Sequence, residues 1–339
     1  MAKGLLDTLN TNVVKSLLPL DPLKGTPLMD SGIIVPDSRL LPLAAGISRT
    51  FEVPYIHPLD ADLEPNYGNT ILTDIAVPNV LEYSTMQGRM AYLNNSWLES
   101  QLASVITGVN ELAYVAERVG GYWRGVTENR VYATLAGIRN FDQANGKKLT
   151  VDISKSAADA ASKFNGAAFN AVDAMFPENR QRTGAMIVHP ELLVEIQNQD
   201  ALVGKVRPSE NDVITHYKGR RLIVTKIGTK VGTGANAKYI TTLVADNAVS
   251  YASLIGNDDL AIEKTQATGN GAGHKVLWTR RNMLLHPQGF SFVAKESELT
   301  GGTGVEALSA NWADLQKAAN WEIAVSEDYV PFRFLITNI

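Results

Sequence analysis

The 339-residue chain contains no cysteine and no run of 18 or more apolar residues. The lack of cysteine excludes disulfide bonds, thiolate metal sites and cysteine nucleophiles. The lack of a long apolar run means that no membrane-spanning helix is predicted. The first residues mix Asp7 and Asn10 with apolar side chains and show no small-residue cleavage pattern, so we predict neither a signal peptide nor export.

Positive charge is missing from residues 51–88, which contain no lysine or arginine. The acidic residues of this segment are Glu52, Asp60, Asp62, Glu64, Asp74 and Glu82. Over the whole chain 31 basic residues nearly balance 35 acidic ones, which argues against a general nucleic-acid-binding protein. The segment therefore differs in charge from the rest of the chain.

The pattern of residues 51–88 predicts a long two-stranded hairpin. Phe51, Val53 and Tyr55 alternate with other residues, residues 71–77 alternate more loosely, and turn formers occupy 60–69. Two isolated strands are marginally stable in water. We therefore expect this segment to lie on a partner surface, and its acidic side chains predict that the surface is basic.

The longest periodic segment is residues 108–138, where apolar residues recur every three or four positions. This spacing predicts one amphipathic helix, here called the spine helix. Asn110 is predicted to cap its start and Gly137 to end it. Gly120, Gly121 and Gly125 predict a bend within it.

Residues 1–50 form an apolar arm with prolines at 19, 22, 27, 36 and 42. Prolines at this density exclude a long helix and favour extended chain. The arm is too apolar for a disordered tail. It is expected either to wrap its own subunit or to cross onto a neighbour.

The remaining residues predict an α+β fold. After the spine helix we predict a helix from a capping box at Ser156 and Asp159 to Met175, a strand at 186–188, and a helix beginning at Pro190. A hairpin turning at residues 217–220 follows, then strands at 239–244, 249–254, 260–268 and 275–285. A short helix near Trp312 and strands at 321–325 and 332–336 complete the prediction.

No catalytic constellation is found, and no cofactor is expected. Residues 232–237 (GTGANA) resemble a nucleotide-binding loop, but the following residues predict a strand instead of the helix that phosphate binding needs. Asp60, Asp62 and Glu64 alternate as in a calcium loop, but Pro65 stands where the loop needs glycine. A nucleotide-binding enzyme and a metal site remain alternatives, and a non-enzymatic protein is favoured.

Several strings, in this order, resemble the major capsid proteins of tailed phages with the Hong Kong 97-like fold. The strings before and within the spine helix are QGRMAY at 87–92, AERV at 116–119, YW at 122–123 and LAGI at 135–138. The later strings are VHP at 188–190, YKGRRLIV at 217–224 and HPQGF at 286–290. Together they cover roughly residues 45–339.

The resemblance implies a division of the chain into the parts of that fold. Residues 1–50 would be the N-terminal arm and 51–88 the extended loop. Residues 89–180 would form the peripheral domain with the spine helix, 181–259 the axial domain, and 260–339 the return to the peripheral domain. Some relatives join subunits by a bond between a loop lysine and an asparagine, but residues 51–88 contain no lysine, so we expect no such bond here.

The resemblance also implies a function. The chain would assemble with itself into hexamers and pentamers of an icosahedral shell in the virion, built in the bacterial cytoplasm around double-stranded DNA. Scaffolding, portal and decoration proteins are possible partners, contact with DNA would be weak and non-specific, and no membrane is involved. An encapsulin-type nanocompartment shell is the alternative with the same fold.

We expect the acidic extended loop to contact basic residues of a neighbouring copy. The candidate acidic residues are Asp60, Asp62 and Glu64. The candidate basic residues are Arg118, Arg124, Lys147, Lys148, Arg180 and Arg182. The alternative is that these charges face solvent.

Overall fold

The computed structural model describes residues 25–44, 49–57, 59, 64–177, 184–198, 205–209, 212–254, 260–301 and 309–339. Helices and strands are mixed along the chain, as the α+β prediction requires. The helices are α1 Leu41–Ala44, α2 Gln101–Thr107, α3 Glu111–Ala144, α4 Gly166–Asp173, α5 Pro190–Asn198 and α6 Trp312–Gln316.

One sheet is organised by a long strand, β14 (His274–Pro287). Strand β4 (Ala91–Ser100) pairs along one edge of β14, and β13 (Leu260–Thr265) and β12 (Val249–Leu254) follow each other along the opposite edge. Strand β1 (Ile34–Pro36) adds in parallel to β12. The arm thus contributes a strand to its own subunit.

A second sheet has the strand order β5-β17-β11-β6-β9-β8-β7, with β10 paired to β11. Its strands are β5 Thr150–Asp152, β6 Ala185–Val188, β7 Lys205–Ser209, β8 Asp212–Tyr217, β9 Arg220–Val224, β10 Lys230–Val231, β11 Lys238–Val244 and β17 Phe332–Thr337. Two small pairs complete the fold. They are β2 Thr50–Ile56 with β3 Tyr83–Arg89, and β15 Phe290–Phe292 with β16 Trp321–Ile323.

Helix α3 is the predicted spine helix, with 34 residues and a length of about 51 Å. The predicted cap is confirmed, because Asn110 Oδ1 accepts a hydrogen bond from the Ala113 amide at 3.0 Å. The predicted end at Gly137 is wrong, since the helix continues to Ala144. Gly137 instead permits close packing: a Cβ there would lie 2.0 Å from the Leu315 carbonyl oxygen.

The main core collects the second half of α3 and strands from both sheets. Val131, Leu135 and Ile138 of the helix are buried in it. Leu28 and Ile33 of the arm belong to the same core. Where the structure describes the arm, residues 25–44, Leu28, Ile33, Ile34 and Leu40 therefore pack on their own subunit, whereas Leu41 and Leu43 are exposed. Whether residues 1–24 cross onto a neighbour lies outside the described residues.

Several other sequence predictions are confirmed. Pro190 begins α5, and β8 and β9 form the predicted hairpin. Its turn places Lys218 at φ 44° and Gly219 at φ 90°, as a two-residue turn between twisted strands requires. The strands predicted at 239–244, 249–254, 260–268 and 275–285 correspond to β11 to β14, and Trp312 begins α6.

Two further sequence predictions are wrong. The helix predicted from residue 156 begins only at Gly166, because Asn165 is the residue whose side chain caps it, through the Ala168 amide at 2.8 Å. The hairpin predicted for residues 51–88 exists, but its second strand is β3 at Tyr83–Arg89 and not residues 71–77. Met86 and Arg89 of β3 are buried against the subunit, whereas residues 71–77 are all exposed.

Candidate functional site

The sequence left a metal site and a nucleotide-binding loop as alternatives, and the structure describes part of the residues concerned. No group of three or more histidine, aspartate and glutamate side chains there could hold a metal ion. Residues 234–236 form a single 3₁₀ turn that leads into strand β11, so no α-helix begins at that loop. Among the described helices, none has the length and apolar character of a membrane span. Two surfaces of the subunit are candidate functional sites: an exposed apolar segment and an open groove.

The first such surface is the segment of residues 64–82 between the strands of the hairpin, here called the loop segment. Every residue in it is exposed, and no strand forms in it. Its large apolar residues are exposed, all but Leu81 by more than half: Tyr67, Ile71, Leu72, Ile75, Val77, Val80 and Leu81. Leu72 is 100% exposed. Clustered apolar exposure of this kind is typical of a contact surface.

The loop segment nevertheless has local order of its own. The Asn69 side-chain oxygen accepts from the Ile71 amide at 2.8 Å, and the Asp74 amide donates to the Ile71 carbonyl at 3.1 Å. The Tyr67 hydroxyl donates to Glu64 at 3.0 Å. These bonds hold the apolar side chains in a defined arrangement without burying them.

The second surface is a groove of about 1450 Å³ beside the first half of α3. Strand β4, residues 309–313 and Gly25 and Thr26 of the arm form its other walls. Helix α3 leaves space here because Gly121 and Gly125 carry no side chains, and a Cβ at either would meet no atom within 4 Å. A cleft of this size and apolar lining is suited to binding an apolar segment.

Aromatic side chains make the groove rigid. Trp97 packs edge-on against Tyr122 with ring centroids 5.3 Å apart, and Tyr122 packs against Trp123 at 5.2 Å. The Asn95 amide donates to the Tyr122 hydroxyl at 2.7 Å. Trp312, about half exposed, lies on the opposite wall. Edge-on aromatic packing fixes ring orientation, so the groove is present before anything binds.

A buried carboxylate holds the arm at the edge of the groove. Glu128 accepts from the Leu28 amide at 3.2 Å and from the Tyr132 hydroxyl at 3.1 Å. Burial raises the pKa of Glu128 above its usual value, and these hydrogen bonds only partly oppose the rise. Arg124 forms an ion pair with Asp30 of the arm. The groove wall is thus built from two distant parts of the chain.

The predicted basic residues do not form one cluster. Arg118 and Arg124 line the groove, with the Arg118 guanidinium 4.9 Å from the centre of the Tyr114 ring. Lys147 and Lys148 follow the far end of α3, where Lys147 lies 3.6 Å from Asp152 and Lys148 pairs with Glu327. The helical residues between Arg124 and Ala144 alone separate the two pairs by about 30 Å.

Of the predicted acidic residues, Glu64 lies at the start of the loop segment. Asp60 and Asp62, like the predicted basic residues Arg180 and Arg182, lie outside the described residues. Pairing between these groups in different subunits stays a prediction.

Sequence reasoning missed the apolar character of both surfaces. It interpreted residues 71–77 as a strand, and it assigned the tryptophans no role. The exposed apolar residues of the loop segment were visible as a signal in the sequence. The groove had no comparable signal, because Trp97, Tyr122 and Trp312 are brought together only by the fold.

The chain is similar to known capsid proteins in sequence and in fold. No protein-family model matches the sequence. The sequence is 26% identical over 299 residues to the major capsid protein of Bacillus phage SPP1, a match that covers 85% of each chain. Similar structures include the capsid of Ralstonia phage GP4 (TM-score 0.56, 10% identity, 85% of this chain and 94% of that one). The capsid of cyanophage Pam1 is also similar (TM-score 0.56, 8% identity, 99% of this chain and 98% of that one).

Proposed function

We propose that this chain, a major capsid protein with the Hong Kong 97-like fold of tailed phages, builds an icosahedral shell by docking the loop segment of one copy in the groove of the next. The shell would enclose double-stranded DNA. The observation that carries the proposal is that one subunit has both an exposed apolar segment and an open apolar groove.

Contact between two different surfaces of identical copies is heterologous. Such contacts repeat from copy to copy and close into rings when the rotation between neighbours permits it. Rings of this kind would be the hexamers and pentamers of the shell. Each copy gives one contact and receives one, so every copy is held by at least two contacts. Many modest contacts of this kind together make a strong assembly.

Charge supports the same docking. Glu64, Asp74 and Glu82 lie on the loop segment, and Arg118 and Arg124 line the groove. Complementary charge sets the register and the rate of association more than the final affinity. To contact the loop segment, Arg124 would have to share or exchange its pairing with Asp30.

The location and the partners follow from this role. The protein would reside in the virion after assembly in the bacterial cytoplasm, with portal, scaffolding and decoration proteins as further partners. With a net charge of −4, contact with packaged DNA would be weak and non-specific.

The decisive experiment places charge on the apolar side chains of the loop segment. In the double variant Leu72→Asp, Val80→Asp, both substituted residues are exposed in the subunit, so the fold should persist while shells disappear from electron micrographs. The matched control is Thr70→Asp, Asn79→Asp, which adds the same charge to the same segment at exposed polar positions. Normal shells from the first variant, or equal loss in both, would contradict the docking.

A second variant tests the charges. Reversing Asp60, Asp62 and Glu64 to lysine should prevent assembly without unfolding the subunit, and the formation of normal particles would contradict that role. The contents of wild-type particles separate the two shell types, since DNA supports a phage capsid and a cargo enzyme supports an encapsulin-type compartment. A protein that stayed monomeric and bound nucleotide would support the enzyme alternative.

A further inference from the structure

The root of the hairpin carries two arginines that share one carboxylate. Arg49 precedes β2, and Arg89 ends β3 directly across from Thr50. Glu296 accepts from Arg49 Nη1 through Oε2 at 2.7 Å and from Arg89 Nη2 through Oε1 at 3.2 Å. Each oxygen of the carboxylate therefore holds one strand of the hairpin.

The position of these charges makes the shared carboxylate important. The Arg89 side chain is only 5% exposed, and a buried guanidinium needs a nearby negative charge. The carboxylate also offsets the repulsion between these two positive charges across the hairpin. Glu296 belongs to the short helical turn Glu296–Glu298 of the subunit body, so it ties both strands to one point outside the hairpin.

Close packing at the root contrasts with open space farther along. A Cβ at Gly88 would lie 2.2 Å from the Phe51 ring, so the strands cannot slide past each other there. Farther out, a cavity of about 530 Å³ lies next to Val53, Tyr55 and His57 of the hairpin. The hairpin is thus closely packed at its root, whereas farther out it borders a cavity and is tied to the subunit body by the Tyr55 hydroxyl, which donates to the Ala324 carbonyl.

We infer that Glu296 is a positioning residue that sets the direction in which the hairpin leaves the subunit. The strands are roughly 23 Å long, so a tilt of about 10° at the root moves the far end by about 4 Å. That end leads into the loop segment. The inference rests on the proposed function for one consequence: the direction of the loop segment sets the angle between neighbouring copies, and so the diameter of the shell.

The test measures the direction of the hairpin in dissociated subunits and does not depend on shells. Because the chain has no cysteine, spin labels can be placed on Tyr83→Cys in the hairpin and Ala144→Cys at the end of α3. Both positions are exposed. Electron paramagnetic resonance should give a narrow distance distribution in the wild-type background and one broadened or shifted by several ångströms in Glu296→Gln.

The control is Glu298→Gln, an exposed glutamate on the same helical turn that accepts only from the Lys295 amide among the described contacts. It should leave the distance distribution unchanged. An unchanged distribution in Glu296→Gln would overturn the inference, whatever happens to assembly. If that variant loses its circular dichroism signal, Arg49→Gln replaces it, since the Arg49 side chain is half-exposed.

Particle diameter provides the second readout. Glu296→Gln should give shells of mixed diameter, together with a lower melting temperature, because the buried Arg89 guanidinium loses the charge of Glu296. A lower melting temperature with shells of unchanged diameter would show a purely structural role. If the wild-type protein formed no shells, the proposed function would fail, and the distance measurement would still test Glu296.

Discussion

The two halves of helix α3 belong to one continuous element but have different surroundings. Residues 127–144 are buried on most sides, with Thr127, Glu128 and the run from Arg130 to Leu135 inside the protein. Residues 111–126 bury only Leu112 and Trp123. The first half of the helix therefore contributes little to the core of the subunit and remains mostly surface.

The sequence differs between the halves in a way that matches this. The first half has glycine at 120, 121 and 125, where no neighbouring atom is close, while Gly137 in the second half lies against backbone and an indole ring. The second half also buries charge: Arg130 donates to the Ala310 carbonyl at 3.0 Å, and burial lowers the pKa of its guanidinium to about 10. The second half is closely packed by its neighbours, whereas the first half has open space beside its glycines.

The largest expected effect comes from adding a methyl group in the buried half. In Gly137→Ala the new Cβ would lie 2.0 Å from the Leu315 carbonyl oxygen and 2.4 Å from Trp321 Nε1. Both neighbours are held in place, because Trp321 Nε1 donates to that carbonyl at 2.7 Å. We expect a loss of about 3 kcal/mol in the free energy of unfolding, measured by urea denaturation of the unassembled subunit. Wild-type stability would show that the two halves do not differ in packing.

Acid should lower the free energy of unfolding of the subunit through His286, which lies beside the buried half of α3. This residue shares a cavity of about 20 Å³ with Arg130 and Thr134, and neither ring nitrogen has a hydrogen-bond partner among the described residues. Burial lowers its pKa to about 4, although Asp37 acts in the opposite direction. The unfolded chain therefore binds more protons between about pH 6.5 and pH 4, and stability should fall by about 2–3 kcal/mol as the pH decreases through this range.

The control for the acid effect is His286→Leu, which should flatten the dependence in that range and leave stability at pH 7 unchanged or higher. Glu128 acts with the opposite sign, because its raised pKa means that the folded protein gains stability as the pH falls through that value. Glu128→Gln should therefore make the acid loss steeper. An unchanged pH profile in His286→Leu would show that other groups cause the effect.

A smaller effect is expected at the start of the open half. Asn110→Ala removes the hydrogen bond to the Ala113 amide and should lower the free energy of unfolding by about 1 kcal/mol. Asn110→Ser, which keeps a capping oxygen, should retain most of the stability. Thermal melts of the two unassembled variants measure the difference. Equal losses in both variants would show that the cap contributes through something other than this bond.

The smallest effect, with the opposite sign, is expected for Gly121→Ala. A Cβ there meets no atom within 4 Å, and alanine favours a helix more than glycine does. We expect a gain of about 0.5–1 kcal/mol in a thermal melt of the unassembled subunit. Destabilisation comparable to that of Gly137→Ala would show that the two halves are packed alike.

Local signals in the sequence were reliable where local chemistry decides the structure. Asn110 caps α3, Pro190 begins α5, and Lys218 with Gly219 makes a tight turn, because each depends on neighbouring residues only. The same approach was wrong at Gly137, since a glycine that ends a helix and one that admits a neighbouring backbone look alike in sequence.

The candidate site could be predicted only in part for the same reason. The acidic character of residues 51–88 was evident from composition, but the strand pairing was not, because β3 is selected by burial of Met86 and Arg89 against the body. The groove depends on Trp97, Tyr122 and Trp312, which are far apart in sequence. Its basic residues were found in part, since Arg118 and Arg124 do line it.

Strand β14 has a mechanical consequence. Its first ten residues pair with β4 on one edge, while β13 and then β12 pair along the other. A pull along this strand would have to shear many backbone hydrogen bonds at once, whereas a pull at the two-stranded hairpin could open its bonds one after another. Under tension the sheet would therefore transmit force with its strands still paired, and the two-stranded hairpin would open first.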